Sequence, residues 1–318
     1  MLKYIVARLA TQLVVLLAST VIVFLLLHVA PGSPATLLNG GHPPSAASIQ
    51  FFNARYGLNK SLPAQYAIWL SHLFQGDFGL SIAAHSSVTS VLAPRIGLTL
   101  LLTAYAVVIM VVFGVTTGIL SGMVRNGLFD MSATLSSLTF TAVPSYVTGV
   151  VLAVVFGVDL AWFPAVGGGD TGSVLTRLDH LTLPAIALGL SSLALVSRIT
   201  RSAVIGELES DHVFGARVRG FSGPRVVAKH ALRGSMVPVV TIVGAQIGYL
   251  LSGAIVVEYA FGLNGIGTLL VSSVQGKDYA VVQAIALFVT AEFLTISLIV
   301  DLLYGVIDPR VRLAGGSR

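Results

Sequence analysis

The sequence contains no cysteine, which excludes disulfides, thiolate metal sites and cysteine nucleophiles. Charge is nearly as scarce. Asp, Glu, Lys and Arg make up 10% of the 318 residues, where a soluble globular chain carries about 25%. Too little polar surface remains to cover such a chain in water, so a soluble enzyme, a disordered chain and a nucleic-acid-binding protein are excluded. The seven His are scattered, without an HExxH arrangement, and neither a Gly-x-Ser-x-Gly elbow nor a metal-ligand cluster occurs, which argues against an intramembrane hydrolase. What the chain does have is apolar sequence, 55% of it, in runs long enough to cross a bilayer, which takes about 20 residues.

Six spans are expected: Leu9–Val29, Leu98–Met123, Ser132–Val158 with Pro144 inside it, Leu181–Val196, Met236–Val257 and Tyr279–Ile307. The first run is too long for a signal peptide and lacks a small-x-small cleavage site, so it reads as a retained helix. Pro31-Gly32-Ser33-Pro34 ends it. Residues 31–97 are richer in Pro, Gly, Ser and Asn, with amphipathic stretches at Ser45–Tyr56 and Pro63–Phe74. They read as a water-facing outer subdomain between an N-terminal part, 1–30, and a core, 98–318. The fold class expected is an all-α polytopic membrane protein.

An even number of spans puts both termini on one side. If that side is inside, thirteen of the eighteen Lys and Arg residues lie inside and five outside, and the excess of bases marks the cytoplasmic face. Seven of the thirteen fall within Arg198–Arg233. The inner loop 204–235 places Asp211 before an apolar and basic helical stretch, stops at Gly220, and restarts at Pro224. Acid at a helix start and base at its end both suit the helix dipole. Two readings fit: a solvated loop whose bases fix topology, or a helix that docks a soluble partner.

At this loop the chain resembles the permease subunits of ATP-binding-cassette importers for dipeptides and oligopeptides. Their pattern runs Asp/Glu-Tyr-Val-x-x-Ala-Arg-Ala-Lys-Gly-Leu, then His-Ala-Leu-Arg-Asn and a Pro. Here stand Asp211-His212-Val213-Phe214-Gly215-Ala216-Arg217-Val218-Arg219-Gly220-Phe221, then His230-Ala231-Leu232-Arg233-Gly234 and Pro238. Pro31-Gly32-Ser33-Pro34, Gly76-Asp77-Phe78-Gly79, Arg198 to Ser202, Phe261 to Gly267, Asp278-Tyr279 and Asp301 through Arg310 extend the likeness over nearly the whole chain. It is similar to the first-permease type, with a long first outer segment. Gly215, Val218 and Phe221 depart from the pattern, and the first two lower helix propensity.

The resemblance implies a type I importer permease fold with six transmembrane helices, in a bacterial inner membrane, with cytoplasmic termini. It implies a second homologous permease, two cytoplasmic ATPase subunits or one fused ATPase, and an extracytoplasmic solute-binding protein. ATP and magnesium would bind the ATPases, and no cofactor or metal this chain. Asp211, Val213, Ala216, Arg217, Arg219, Gly220 and Phe221 would couple to the ATPase, with no catalytic residue here. Related permeases serve peptides, nickel chelates, glutathione or haem.

The residues themselves agree that energy arrives from outside. The nearest thing to a phosphate loop, Gly262 to Thr268, has Thr where the lysine is required. Asp77-Phe78-Gly79 lacks any kinase context and reads as a turn. Gly114, Gly118 and Gly122 form one small-residue face, and Gly244 and Gly248 another; these fit packing within the chain or against a second subunit. Glu292 lies mid-span, where an acid costs roughly 2.5–3.5 kcal/mol, so it must face protein or water. It either lines the substrate pathway or is a structural, protonated acid. Gln246 and Tyr249 could meet peptide groups in the pathway or simply pack. Asp301 is expected to pair with Arg310 or Arg312. The competing class is a self-sufficient proton-coupled carrier using Glu292 and Asp301. Such carriers often show an internal repeat, and none is evident between the two halves.

Overall fold

The structure, a computed structural model, describes residues 2–29, 34–169 and 173–307. Its regular secondary structure among the described residues is helical apart from one hairpin of two-residue strands, Leu80–Ser81 (β1) with Ser86–Ser87 (β2), paired antiparallel. The helices are α1 (Leu2–Val29), α2 (Pro34–Leu38), α3 (Ala46–Tyr56), α4 (Leu62–Phe74), α5 (Val88–Met123), α6 (Leu128–Ala142), α7 (Ser145–Leu152), α8 (Val174–Leu208), α9 (Asp211–Val218), α10 (Gly223–Val226), α11 (Leu232–Ala260), α12 (Ile266–Gln275) and α13 (Tyr279–Ile307). Wider π turns continue α7 over Ala153–Asp159 and lead into α11 over Val227–Ala231. Among the described residues, five helices are long and apolar enough to cross a membrane, and there are six if α6 and the α7 segment, bent at their junction, are counted as one span. The protein is an all-α, multi-pass membrane protein.

The third span departs from the continuous helix expected over Ser132–Val158. Its halves meet at 107°. Proline has no N–H and crowds the carbonyl four residues back, and it drives the residue before it out of the helical region. Val143 accordingly sits at φ −90°, ψ 127°. Ser191 Oγ of α8 donates to the Phe140 carbonyl at 2.9 Å, so the group freed by the break is satisfied inside the protein rather than left in lipid. The fourth span is longer than its hydropathy window. α8 has 35 residues and is about 50 Å long at helical rise, well beyond a hydrocarbon core of about 30 Å. Hydropathy detects only the part in lipid, and the helix carries on through Arg198, Arg201 and Glu207.

The chain divides into two units, one built mainly from Leu101–Leu263 and continuing from Ile296, the other from Ile5–Leu100 and Asn264–Thr295. In the second unit, Val88 and Leu92 of α5 pack with Ile266 and Leu269 of α12 and Val281 and Ile285 of α13. The amphipathic stretches of the outer segment are α3 and α4. α3 starts on Ser45, whose hydroxyl accepts from Ser48 N at 3.1 Å, and ends on Gly57 at φ 64°. Asp77 Oδ1 accepts from Gly79 N at 3.0 Å and Asp77 Oδ2 from Arg55 at 2.6 Å, so Asp77-Phe78-Gly79 is a turn held by an ion pair. Buried Asp278 accepts from Ser81 Oγ at 2.6 Å, tying the hairpin to the start of α13. The turn before α12 donates Ile266 N to Thr99 Oγ1 at 3.0 Å. Arg310 and Arg312, the partners expected for Asp301, lie outside the described residues, as do Pro31, Gly32 and Ser33.

Candidate functional site

The first unit gathers the expected site residues at two places: the α8–α11 connection and the broken third span. The connection is organised by α9. Val213 and Ala216 recur at i and i+3, the spacing that puts two residues on one helix face. Both are buried, with Val226 of α10 and Leu208 of α8, in a small core of their own. The helix ends in a paired hydrogen-bond cap. Gly220 N donates to the Arg217 carbonyl at 2.9 Å and Phe221 N to the Ala216 carbonyl at 3.3 Å, with Gly220 at φ +80°. A glycine is needed there because a Cβ disfavours that left-handed conformation.

That burial turns the opposite stripe outward. Phe214 is 66% exposed and Val218 71%. Arg217 is exposed beside them, and Phe221 follows at the spacing that completes the stripe. Of the seven residues expected to couple, Val213 and Ala216 are therefore interior anchors. Gly220 is a terminator, and Asp211, Arg217, Arg219 and Phe221 are surface. Phe214 and Val218 are the large exposed apolar groups of α9, and neither is among those seven. The signal for them was present: once Val213 and Ala216 define the inner face, positions 214, 217, 218 and 221 are the outer one.

The break between α6 and α7 opens a cavity of about 380 Å³, lined by Thr141 to Ser145, Ser191, Leu195, Gln246 and Tyr249. Gln246 and Tyr249 are thus brought to one site, one turn apart on α11. No charged side chain lines it. Thr141 and Ser191 spend their protons on backbone carbonyls. The Gln246 amide and the Tyr249 and Ser145 hydroxyls have no hydrogen-bond partner among the described residues, so they are available to a ligand. Tyr249 is 62% exposed. Glu292, half-buried on α13, belongs to the other unit and is not part of this lining.

The glycine faces meet the chain itself. A Cβ on Gly114 would lie 3.1 Å from the Leu193 carbonyl oxygen, one on Gly118 2.5 Å from that of Ser197, and one on Gly122 3.2 Å from that of Arg201. These three glycines let α5 approach the backbone of α8. On α11, a Cβ on Gly244 would meet Val300 of α13 at 2.3 Å, and Gly248 is buried. Backbone cannot retreat as a side-chain tip can. Gly118→Ala is therefore expected to lower stability by about 1–3 kcal/mol, read as a fall in the unfolding temperature of the purified protein in detergent. An unchanged temperature would show that α5 and α8 are not held at this distance.

At the end of the same contact is a feature that the sequence did not disclose. Arg201 of α8 forms a fork with Asp130 of α6, Nε to Oδ1 at 2.5 Å and Nη2 to Oδ2 at 2.7 Å. Ser121 Oγ and Asn126 N also donate to this carboxylate. Asp130 is 3% exposed. Planar two-point pairing is the strongest form of such a contact. It ties α5, α6 and α8 together where they leave the apolar region.

Comparison with known proteins agrees with this architecture along nearly the whole sequence. The profile of the binding-protein-dependent transport system inner membrane component matches residues 114–313, and that of the N-terminal part of such membrane components matches residues 1–103. A glutathione transport system permease protein of Pectobacterium atrosepticum is 40% identical over 315 residues, which are 98% of this chain and 99% of the relative. Proteins of the same description from Salmonella typhimurium and Escherichia coli K12 are each 38% identical over 312 residues, with 98% and 99% covered.

Proposed function

The chain belongs to the family of binding-protein-dependent transport system inner membrane components, and from that premise we propose that it forms half of the translocation pathway for a short peptide of the glutathione class. As a family member it is the permease subunit of an ABC importer. ATP hydrolysis resides on separate subunits, and a binding protein takes part in transport. The observation that carries the substrate reading is the 40% identity, over 98% of the chain, to a glutathione transport system permease. The lining at the third-span break supports it. An amide and two hydroxyls without charge suit the amide backbone of a peptide better than a haem or a metal chelate.

In this reading a second homologous permease supplies the other half of the pathway, and two ATPase subunits, or one fused ATPase, bind ATP and magnesium. The exposed stripe of α9, with Asp211, Arg217, Arg219 and Phe221 around Phe214 and Val218, seats in the ATPase. Val213, Ala216 and Gly220 shape it from behind. The solute-binding protein delivers peptide to the side that bears the outer subdomain, 31–97. The N- and C-termini are cytoplasmic and the membrane is a bacterial inner membrane, a placement supported by the thirteen-to-five distribution of bases. Nothing in this arrangement needs a cofactor on the chain.

Uptake by the assembled importer in proteoliposomes tests the substrate reading. Glutathione and short neutral peptides are expected to accumulate, and nickel chelates and haem are not. Gln246→Leu removes one hydrogen-bonding partner of the peptide. It is expected to raise the substrate concentration for half-maximal uptake by up to about tenfold. Unchanged uptake would remove the cavity from the pathway. Glu292 is part of the pathway if Glu292→Gln lowers uptake of cationic more than neutral peptides, and a structural acid if both respond alike.

A further inference from the structure

α9 has a second attachment besides its small core, and it is made by one carboxylate. Glu207, in the last turn of α8, faces His212 of α9, with Oε1 to Nε2 at 3.1 Å. Ser210 Oγ donates to the Glu207 carbonyl at 2.5 Å and lies at hydrogen-bond distance, 3.0 Å, from His212 Nδ1. The imidazole thus lies between the Glu207 carboxylate and the Ser210 hydroxyl, one ring nitrogen against each. The same carboxylate oxygen also rests against α11. A Cβ on Gly234 would lie 2.0 Å from Glu207 Oε1 and 2.2 Å from its Cδ, so only glycine at 234 leaves the carboxylate in place. The helix before α9, α9 itself and the helix after the loop therefore converge on Glu207.

His212 and Gly234, 22 residues apart in sequence, meet at this one side chain.

We propose that Glu207, His212 and Gly234 form a clasp that holds α9 rigidly to α8 and α11, so that displacement of α9 by an ATPase moves the membrane helices instead of being absorbed by the loop. These are positioning residues: they touch neither ATP nor substrate. The small core of Val213, Ala216, Val226 and Leu208 keeps α9 folded without the clasp, so losing the clasp loosens the lever and leaves the ATPase seat intact. The inference rests on the reading that α9 meets the ATPase.

The test is the ratio of glutathione imported to ATP hydrolysed by the complete importer in proteoliposomes, for Glu207→Ala, His212→Ala, Gly234→Ala and the pair Glu207→Ala with Gly234→Ala. Each single variant is expected to retain the ATPase and its hydrolysis while the ratio falls about tenfold, the size set by loss of one buried-side contact to a carboxylate. Gly234→Ala acts by pushing the carboxylate away, so it should add nothing once Glu207 is Ala. A merely structural effect of the new methyl group would add to the loss. Phe214→Asp separates this inference from its premise. If Phe214→Asp loses the ATPase while the three clasp variants keep it at the wild-type ratio, the clasp is overturned and the seat stands. If Phe214→Asp leaves ATPase binding and the ratio unchanged, the seat is wrong and the clasp falls with it.

Discussion

Phe214→Asp is expected to leave a folded, membrane-inserted chain that no longer holds its ATPase, with ATP-driven uptake reduced about a hundredfold, as for loss of an aromatic anchor at an interface centre. The residue is 66% exposed and takes no part in the α9 core of Val213, Ala216, Val226 and Leu208, so a charge there costs the isolated chain little. In an apolar seat the same charge must be desolvated without a partner. Val218→Asp on the same stripe should act in the same direction. Val213→Asp provides the contrast. That position is fully buried, and its replacement should disorder α9 and lower the yield of intact protein. Co-purification of the ATPase subunits with each variant reads the difference directly. Retention of the ATPase by Phe214→Asp, with normal uptake, would show that the exposed stripe is not the seat.

The second large effect concerns stability. Asp130→Ala is expected to destabilise the protein by about 3–5 kcal/mol, because removing one member of a buried pair leaves the other charge without compensation. Arg201 keeps 27% of its side chain exposed, so water relieves part of that loss and the lower end of the range is expected. Removing both charges should be milder. Asp130→Ala with Arg201→Leu is expected to recover more than half of the stability lost by Asp130→Ala alone, since an apolar replacement of a buried pair is often close to neutral. Thermal unfolding of the purified chains in one detergent measures both variants. If Asp130→Ala unfolds at the wild-type temperature, the fork does not hold α6 to α8.

Hydropathy was enough to find the membrane-spanning helices, because apolar length is a local property that each window reports by itself. It was not enough to find their ends or their bends. α8 extends beyond Leu181–Val196 as a helix whose polar residues are in water or protein, where a lipid-transfer scale has nothing to say. The bend at Val143–Pro144 is local in cause and tertiary in outcome: proline freed a carbonyl, and Ser191 of another helix accommodated it. A span with Pro184 inside it, by contrast, stays one helix.

The candidate sites were legible to the extent that they follow one helix. The stripes of α9 could be read from spacing, and the seven residues assigned to coupling mixed its inner and outer faces because a motif does not distinguish a residue that touches a partner from one that orients it. Gln246 and Tyr249 stood out as polar groups in an apolar span, but the cavity they line is completed by residues of α6, α7 and α8. Asp130 and Arg201 are 71 residues apart, and Glu207 meets Gly234 across the whole loop. Pairings of that range are set by how helices pack, and nothing in either local sequence announces them.

The central claim is that this chain is a passive half-pathway moved by ATPases that seat on α9. The measurement that tests it most directly is glutathione accumulation in proteoliposomes holding the full importer with its binding protein, compared with proteoliposomes holding this chain alone under an imposed proton gradient. Accumulation that requires ATP and the ATPase subunits, and that Phe214→Asp abolishes, is the predicted result. Accumulation by the chain alone, driven by the proton gradient, would contradict the account and identify a self-sufficient carrier.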